Sequence, residues 1–200
     1  MQGKTHAALG VAAYMIVSDV LHSEFSAAGF VAAVVSSLMA DIDHPKSLIN
    51  KYILPIKSER VKRVFYAVSG MLILYADYAH FNLLLLKVIG VTLILISLNS
   101  HRNGLSHSIA GFVATIVMGI LLEKACNVRY LALYIGGGYF THILGDSFTK
   151  NGVPLLYPMS KKKVRMPIYY TVGSYTGNMV ENIIFTATLS MFIIKLFILN

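Results

Sequence analysis

This sequence predicts an all-α, polytopic membrane helical bundle, with about seven apolar helices in a single domain over residues 1–200. Three observations lead there. Hydrophobic residues make up 56% of the chain and charged residues only 13%, about half the usual soluble share of roughly 25%. The apolar residues fall into runs divided by polar turns. The basic residues gather at alternate turns. A water-soluble fold of this size needs polar faces that so few charges do not supply.

The first two runs, Ala7–Leu21 and Phe25–Ala40, are shorter than the ~20 residues of a full span. They form either a pair of spans or a re-entrant hairpin. Lys4 precedes the first run, but Asp19, His22 and Glu24 follow it without a small-x-small exit, which favours retention over cleavage as a signal peptide. In the second run Gly29, Ala33 and Ser37 recur at every fourth position, the spacing that lets membrane helices approach closely. A polar stretch, Asp41–Arg63, carries Pro45 and Pro55 and leads to Val64–Tyr78 and Leu83–Leu98. Ile109–Leu122 and Tyr130–Leu144 come next. The second of these contains Gly136, Gly137 and Gly138, costly to a helix unless a neighbour presses close. Lys150–Asn182 holds three prolines with Gly173 and Gly177, so it is not one continuous helix. The last run is Ile183–Leu199.

A net charge of +8 raises the question of nucleic acid, and the distribution answers it. With the N-terminus inside and the runs alternating, one side collects Lys4, Lys46, Lys51, Lys57, Arg60, Lys62, Arg63, Arg102, Lys150, Lys161, Lys162, Lys163 and Arg165. Lys124 and Arg129 stand at an outer turn. That is the positive-inside bias of a multi-pass membrane protein with its N-terminus on the cytoplasmic side, with membrane lipid, not nucleic acid, as its partner. Basic loops at that face also attract anionic headgroups, at about 1 kcal/mol per charge. The single cysteine, Cys126, excludes an internal disulfide and a cysteine-based zinc cage.

The same inner turns carry the chemistry. Asp41, Asp43 and His44 precede Pro45, which disfavours helix at His44, so the second helix ends there with two carboxylates and an imidazole in one turn. Acidic groups at a helix C-terminus oppose its dipole and call for a cation. His142 and Asp146 are four apart, on one helix face. His101 and His107 flank Gly104 in a third inner turn, where Arg102 offers a planar fork for phosphate, and His6 precedes the first run. Imidazole with carboxylate is the ligand mix of catalytic zinc, manganese or iron. Asp19, His22, Glu24, Asp77 and His80, on the outer side, read as hydrated helix ends. There is no G-x-S-x-G elbow, H-E-x-x-H or P-loop, which leaves metal activation of water as the route to catalysis.

The segments Asp41-Ile42-Asp43-His44-Pro45-Lys46-Ser47, His101-Arg102 with Ser106-His107-Ser108, and Thr141-His142-Ile143-Leu144-Gly145-Asp146 through Pro158, followed by Arg165-Met166-Pro167-Ile168, Gly173 and Glu181, together resemble the YdjM-type family of bacterial inner-membrane metal-dependent hydrolases. The pattern is more distantly similar to the zinc-dependent phospholipase C superfamily. Between His101 and His107 this chain has one residue more than the family's usual His-Arg-Gly-x-Thr-His-Ser turn, which favours His107 as the ligand of the two. The resemblance implies hydrolase activity without naming a substrate.

The expectation is a membrane-bound hydrolase in which a divalent metal, zinc or alternatively manganese, activates water against an ester or phosphoester, such as a phospholipid or lipid-linked phosphate. The expected ligands are Asp41, His44, His107, His142 and Asp146, with His6 and His101 as additions. Asp43 or Glu181 serves as general base or orients a ligand histidine. Arg102, Lys161, Lys162, Lys163 and Arg165 hold an anionic headgroup. The alternative is a scaffold or regulator with a structural metal, binding a cytoplasmic partner; a transporter ranks last, because the mid-span regions are nearly uncharged. The orientation is testable in a Cys126→Ser background. Lys161→Cys should react with a membrane-impermeant maleimide only in inverted vesicles, and Arg129→Cys only in spheroplasts; the reverse pattern refutes the assignment.

Overall fold

The computed structural model describes residues 1–42, 47, 58–98 and 104–198. Among these the chain forms seven α-helices: α1 (Gly3–Val20), α2 (Ala27–Met39), α3 (Glu59–Ala76), α4 (Leu84–Leu98), α5 (Ile109–Cys126), α6 (Leu131–Ser147) and α7 (Tyr175–Ile198). A π-helical turn (Asp77–Phe81) follows α3, and a 3₁₀ turn (Leu105–His107) precedes α5. In place of strands, the described residues hold two isolated bridges, Thr149 with Tyr170 and Val153 with Val164. Three described helices are long and apolar enough to cross a membrane: Glu59–Phe81, Ile109–Cys126 and Tyr175–Phe197. Ala27–Met39 and Leu84–Leu98 are apolar but shorter.

Each apolar run of the sequence has become a helix. The largest displacement is at α7, which begins at Tyr175 rather than at Ile183. Ser174 accepts a hydrogen bond from Gly177 N at 3.0 Å, satisfying one of the amides orphaned at a helix start. Gly177 and Glu181 therefore lie on the helix and not in the preceding loop. Asp77 also departs from expectation. It is 1% exposed, not hydrated, and its Oδ1 accepts from Leu83 N at 2.6 Å. There it satisfies a backbone amide in the reversal between α3 and α4.

Helices α1, α2 and α6 pack on one another, α5 lies against α6, and α7 lies against α1. The α3–α4 hairpin joins the rest through α4 on α5. Small residues make the central contact possible. A Cβ on Gly138 of α6 would stand 2.1 Å from Ala33 O of α2, and one on Gly10 of α1 would stand 2.9 Å from the same oxygen. A Cβ on Gly29 would meet the Tyr134 ring at 2.6 Å. Beside this crossing, Tyr14, Ala33 and Tyr134 form one buried cluster, and the Tyr134 hydroxyl pairs with Ser23 Oγ at 2.9 Å. A second cluster, Ala40, Tyr139, Ile143 and Val153, lies toward the other end of the bundle and takes in a residue from the loop after α6.

That loop is pinned rather than draped. Val153 exchanges backbone hydrogen bonds with Val164, Lys150 N donates to Tyr170 O, and Met166 N donates to Ser147 O. At the opposite end of α6, Tyr130 enters with φ 63°, a left-handed conformation uncommon for a bulky residue. Glu123 of α5 accepts from Tyr130 N and Ala132 N, at 3.3 and 2.9 Å, placing a carboxylate at the positive end of α6.

The crossing at Ala33 yields a stability test. Gly138→Ala should gain up to about 1 kcal/mol in helix propensity yet lose more to overpacking, for a net destabilisation of about 1–3 kcal/mol in detergent unfolding. Gly137→Ala, whose new methyl meets Val17 Cγ2 at 3.2 Å, should cost clearly less. Equal stability of the two variants contradicts the packing described.

Candidate metal centre

The ends of α1, α2 and α6 and the turn before α5 meet at one end of the bundle. Asp41, His107, His142 and Asp146 each offer one ligand atom there, all within 4.8 Å of one another. His142 Nε2 lies 3.2 Å from His107 Nε2 and 3.5 Å from Asp146 Oδ2. His107 Nε2 lies 3.4 Å from Asp146 Oδ2 and 3.5 Å from Asp41 Oδ1, and His142 Nε2 is 3.9 Å from Asp41 Oδ1. Ligands about 2.0–2.2 Å from a tetrahedral ion stand roughly 3.3–3.6 Å apart. The four residues therefore suit a divalent cation in donor type and in spacing.

Helix termination sets the orientation of His142. Because α2 ends at Met39, Asp41 N turns back to Leu38 O and leaves Ser37 O without its i+4 partner. That carbonyl lies 2.6 Å from His142 Nδ1, so the Nδ1–H donates to it and the Nε2 lone pair faces the cluster. Such an outer partner typically fixes the tautomer of a metal-binding histidine. Ser106 plays a related part: its Oγ pairs with His107 Nδ1 at 3.1 Å, and Tyr139 OH donates to Ser106 O. No sequence motif announces the Ser37 carbonyl as a partner, since every residue has one. Ser106, adjacent to His107 in sequence, serves as an orienting hydroxyl.

His6 is fully buried, and its ring stacks on His142 with centroids 3.7 Å apart and planes 14° from parallel. Its Nε2 lies 3.2 Å from Asp146 Oδ1, but among the described residues neither ring nitrogen has an aligned hydrogen-bond partner. An imidazole buried in that state is costly and suits a further ligand position. The Met1 α-amino group also contacts Asp146 Oδ1. Burial works to lower the His107 imidazole, but hydrogen bonds to Asp146 and Asp41, together with their charges, push it up to about 10. Burial works to raise Asp41, and the hydrogen bond from His107 with the charge of that ring outweighs it, holding the carboxyl well below its ordinary value.

Glu181 is fully buried and faces the start of α1. Its Oε2 accepts from Gln2 N at 3.0 Å and Thr5 Oγ1 at 2.9 Å, and its Oε1 accepts from Tyr170 OH at 3.3 Å. Burial and then the Glu181 charge raise the Tyr170 phenol above its ordinary value, keeping it a donor. Lys163 lines a cavity of about 500 Å³ together with Asp41, His107 and Asp146. Lys161, Lys162 and Arg165 are exposed on the same loop. The Arg165 guanidinium lies 3.9 Å over the Tyr169 ring and donates to Lys150 O at 3.3 Å. Asp43, His44, His101 and Arg102 lie outside the described residues.

Fold and site together define a membrane helical protein with a buried Asp–His group able to hold a metal ion. The family model described as YdjM inner membrane protein matches residues 1–199, and the chain belongs to that family. No curated protein and no solved structure matches it.

The raised His107 has a signed consequence. Its stabilising charge pairs are complete below pH 6.5 and vanish as pH rises through about 10, whereas a metal needs the neutral ring. Between those limits zinc binding should release a proton from His107, and affinity should strengthen by up to about tenfold per pH unit. Calorimetry in buffers of different ionisation enthalpy reads the release. Asp41→Ala and His142→Ala should each lose bound metal, and full retention in both excludes this centre.

Proposed function

We propose that this protein is a metal-dependent hydrolase of the inner membrane, acting at the cytoplasmic face on an ester or phosphoester of a lipid or lipid-linked phosphate. The observation that carries the reading is the convergence of Asp41, His107, His142 and Asp146 in a membrane bundle, beside a cavity reached by Lys163. Zinc is the ion we assign, from two imidazoles and two carboxylates whose ligand atoms lie within 4.8 Å of one another; manganese shares the donor preference. An ion held there would supply Lewis-acid activation of water near neutral pH.

The chain's own residues do the remainder. Ser37 O and Ser106 Oγ hold the two imidazoles with Nε2 directed inward. The Lys163 ammonium neutralises an anionic phosphate entering the cavity. Glu181 already accepts three hydrogen bonds, so we assign it to positioning α1, and with it His6, rather than to proton transfer. Asp43, two residues beyond Asp41, keeps the role of general base: it takes a proton from the attacking water and passes it to the departing oxygen as the ester bond breaks. His44, His101 and Arg102 keep their proposed roles as further ligands and phosphate contact.

Purified protein with added zinc should hydrolyse members of a panel of phospholipids and lipid-linked phosphates. Asp146→Asn should lower turnover by at least about 100-fold. Lys163→Ala should raise KM for an anionic substrate more than it lowers kcat. Zinc retention with no turnover across phosphoesters and carboxyl esters counts against the enzyme and for a structural metal.

A further inference from the structure

Helix α6 carries two differently lined faces. His142 and Asp146 point at the candidate metal centre. Thr141, Leu144, Gly145 and Phe148, spaced i, i+3, i+4 and i+7, form the adjoining stripe. That stripe lines a separate, mostly apolar groove of about 750 Å³, whose opposite wall includes Val180 and Ile184 of α7. The Thr141 hydroxyl is turned away to Gly138 O and Leu9 O, at 2.9 and 3.3 Å. Met1 lines both the groove and the 500 Å³ cavity, so the apolar space and the polar one adjoin at this side chain.

The surroundings indicate what fills the groove. Helix α7 is long and apolar enough to cross a membrane, and only 11% of its apolar window is buried within the protein. A groove with such a helix on one wall is open to hydrocarbon wherever that helix crosses the membrane, and Ile168, from the loop that completes the lining, is 83% exposed. The volume lies within the roughly 300–1,000 Å³ of small-molecule sites, whereas a bare helix about 10 Å across would fill it in about two turns. Meeting it at Met1 is the cavity lined by Asp41, His107, Asp146 and Lys163. An apolar slot adjoining a cavity with a cationic side chain and a metal-type centre has the two-part form of an amphiphile.

We propose that the groove between α6 and α7 holds one hydrocarbon chain of a membrane lipid, entering laterally, with the lipid's phosphate in the Asp–His cavity. Chain binding stands by itself; its meaning as substrate recognition rests on the hydrolase reading. Gly145 then matters twice, because a Cβ there would press Met1 Sδ at 2.5 Å and Leu9 Cδ1 at 2.9 Å, moving the partition between the two spaces.

The test uses the full chain with zinc, in nanodiscs containing phosphatidic acid with a diazirine near one chain terminus. After photolysis, peptides covering 141–148 and 180–184 should be labelled well above those of α4, an apolar helix that does not line the groove. Dodecyl phosphate should compete for that labelling, and inorganic phosphate should not. Ile184→Trp and, separately, Val180→Trp should reduce groove labelling at least about tenfold, as loss of contact to two methylenes implies, with zinc content unchanged as the check on folding. Groove labelling no higher than on α4, or unaffected in both folded variants, overturns the proposal. Hydrolysis of soluble bis-p-nitrophenyl phosphate is followed in parallel. Turnover without groove labelling rejects the chain site alone, and labelling without turnover of any ester rejects the hydrolase alone.

Discussion

Everything polar in this bundle depends on how closely three helices cross at Ala33. Its carbonyl oxygen lies 2.9 and 2.1 Å from where a Cβ on Gly10 and on Gly138 would stand, so α1, α2 and α6 meet backbone to backbone. One turn further along α2, Ser37 presents its carbonyl to His142; one turn beyond that, Asp41 reaches the cluster. Four-residue periodicity thus turns an apolar packing contact into a polar site in two steps. Wider helix spacing would still bury leucines and tyrosines. It would not bring imidazoles and carboxylates from distant segments within ligand distance.

The charge balance of the site follows from that compactness. Two carboxylates held beside buried imidazoles need positive charge nearby, because an isolated buried ion costs several kcal/mol. A raised His107 supplies it, with the Met1 amino group beside Asp146. A divalent cation meets the same demand with one charge centre and displaces the proton. His6 belongs to this economy as well. Its stacked ring is held in place while its nitrogens stay without aligned partners, which fits a polar group kept for a ligand and not for stability.

Much of this was legible in the residues. Apolar runs located all seven described helices, and the Gly29–Ala33–Ser37 spacing with the three glycines of α6 foretold the tight crossing. His142 and Asp146 were readable as a pair because four residues return to one helix face, and the alternation of turns placed Asp41, His107 and His6 at the same end. What escaped was set by tertiary context. Composition put Tyr175–Asn182 in a loop, since a cap at Ser174 outweighs glycine and polar content. Asp77 read as hydrated, yet the fold spends it on the amide of Leu83. The tie from Glu181 to Gln2 and Thr5 joins residues at opposite ends of the chain, and local pattern carries no trace of it.

The link between Glu123 and the start of α6 has a mechanical corollary. A helix resists compression along its axis, and Ala132 lies ten residues, about 15 Å, from His142. The depth of the imidazole is therefore fixed from the far end of the bundle, where a side chain of α5 grips the first amides of α6 like a datum stop on a ruler. Sliding α6 by a single residue would lift His142 by about 1.5 Å and swing it through about 100°, carrying its ring off the Ser37 carbonyl.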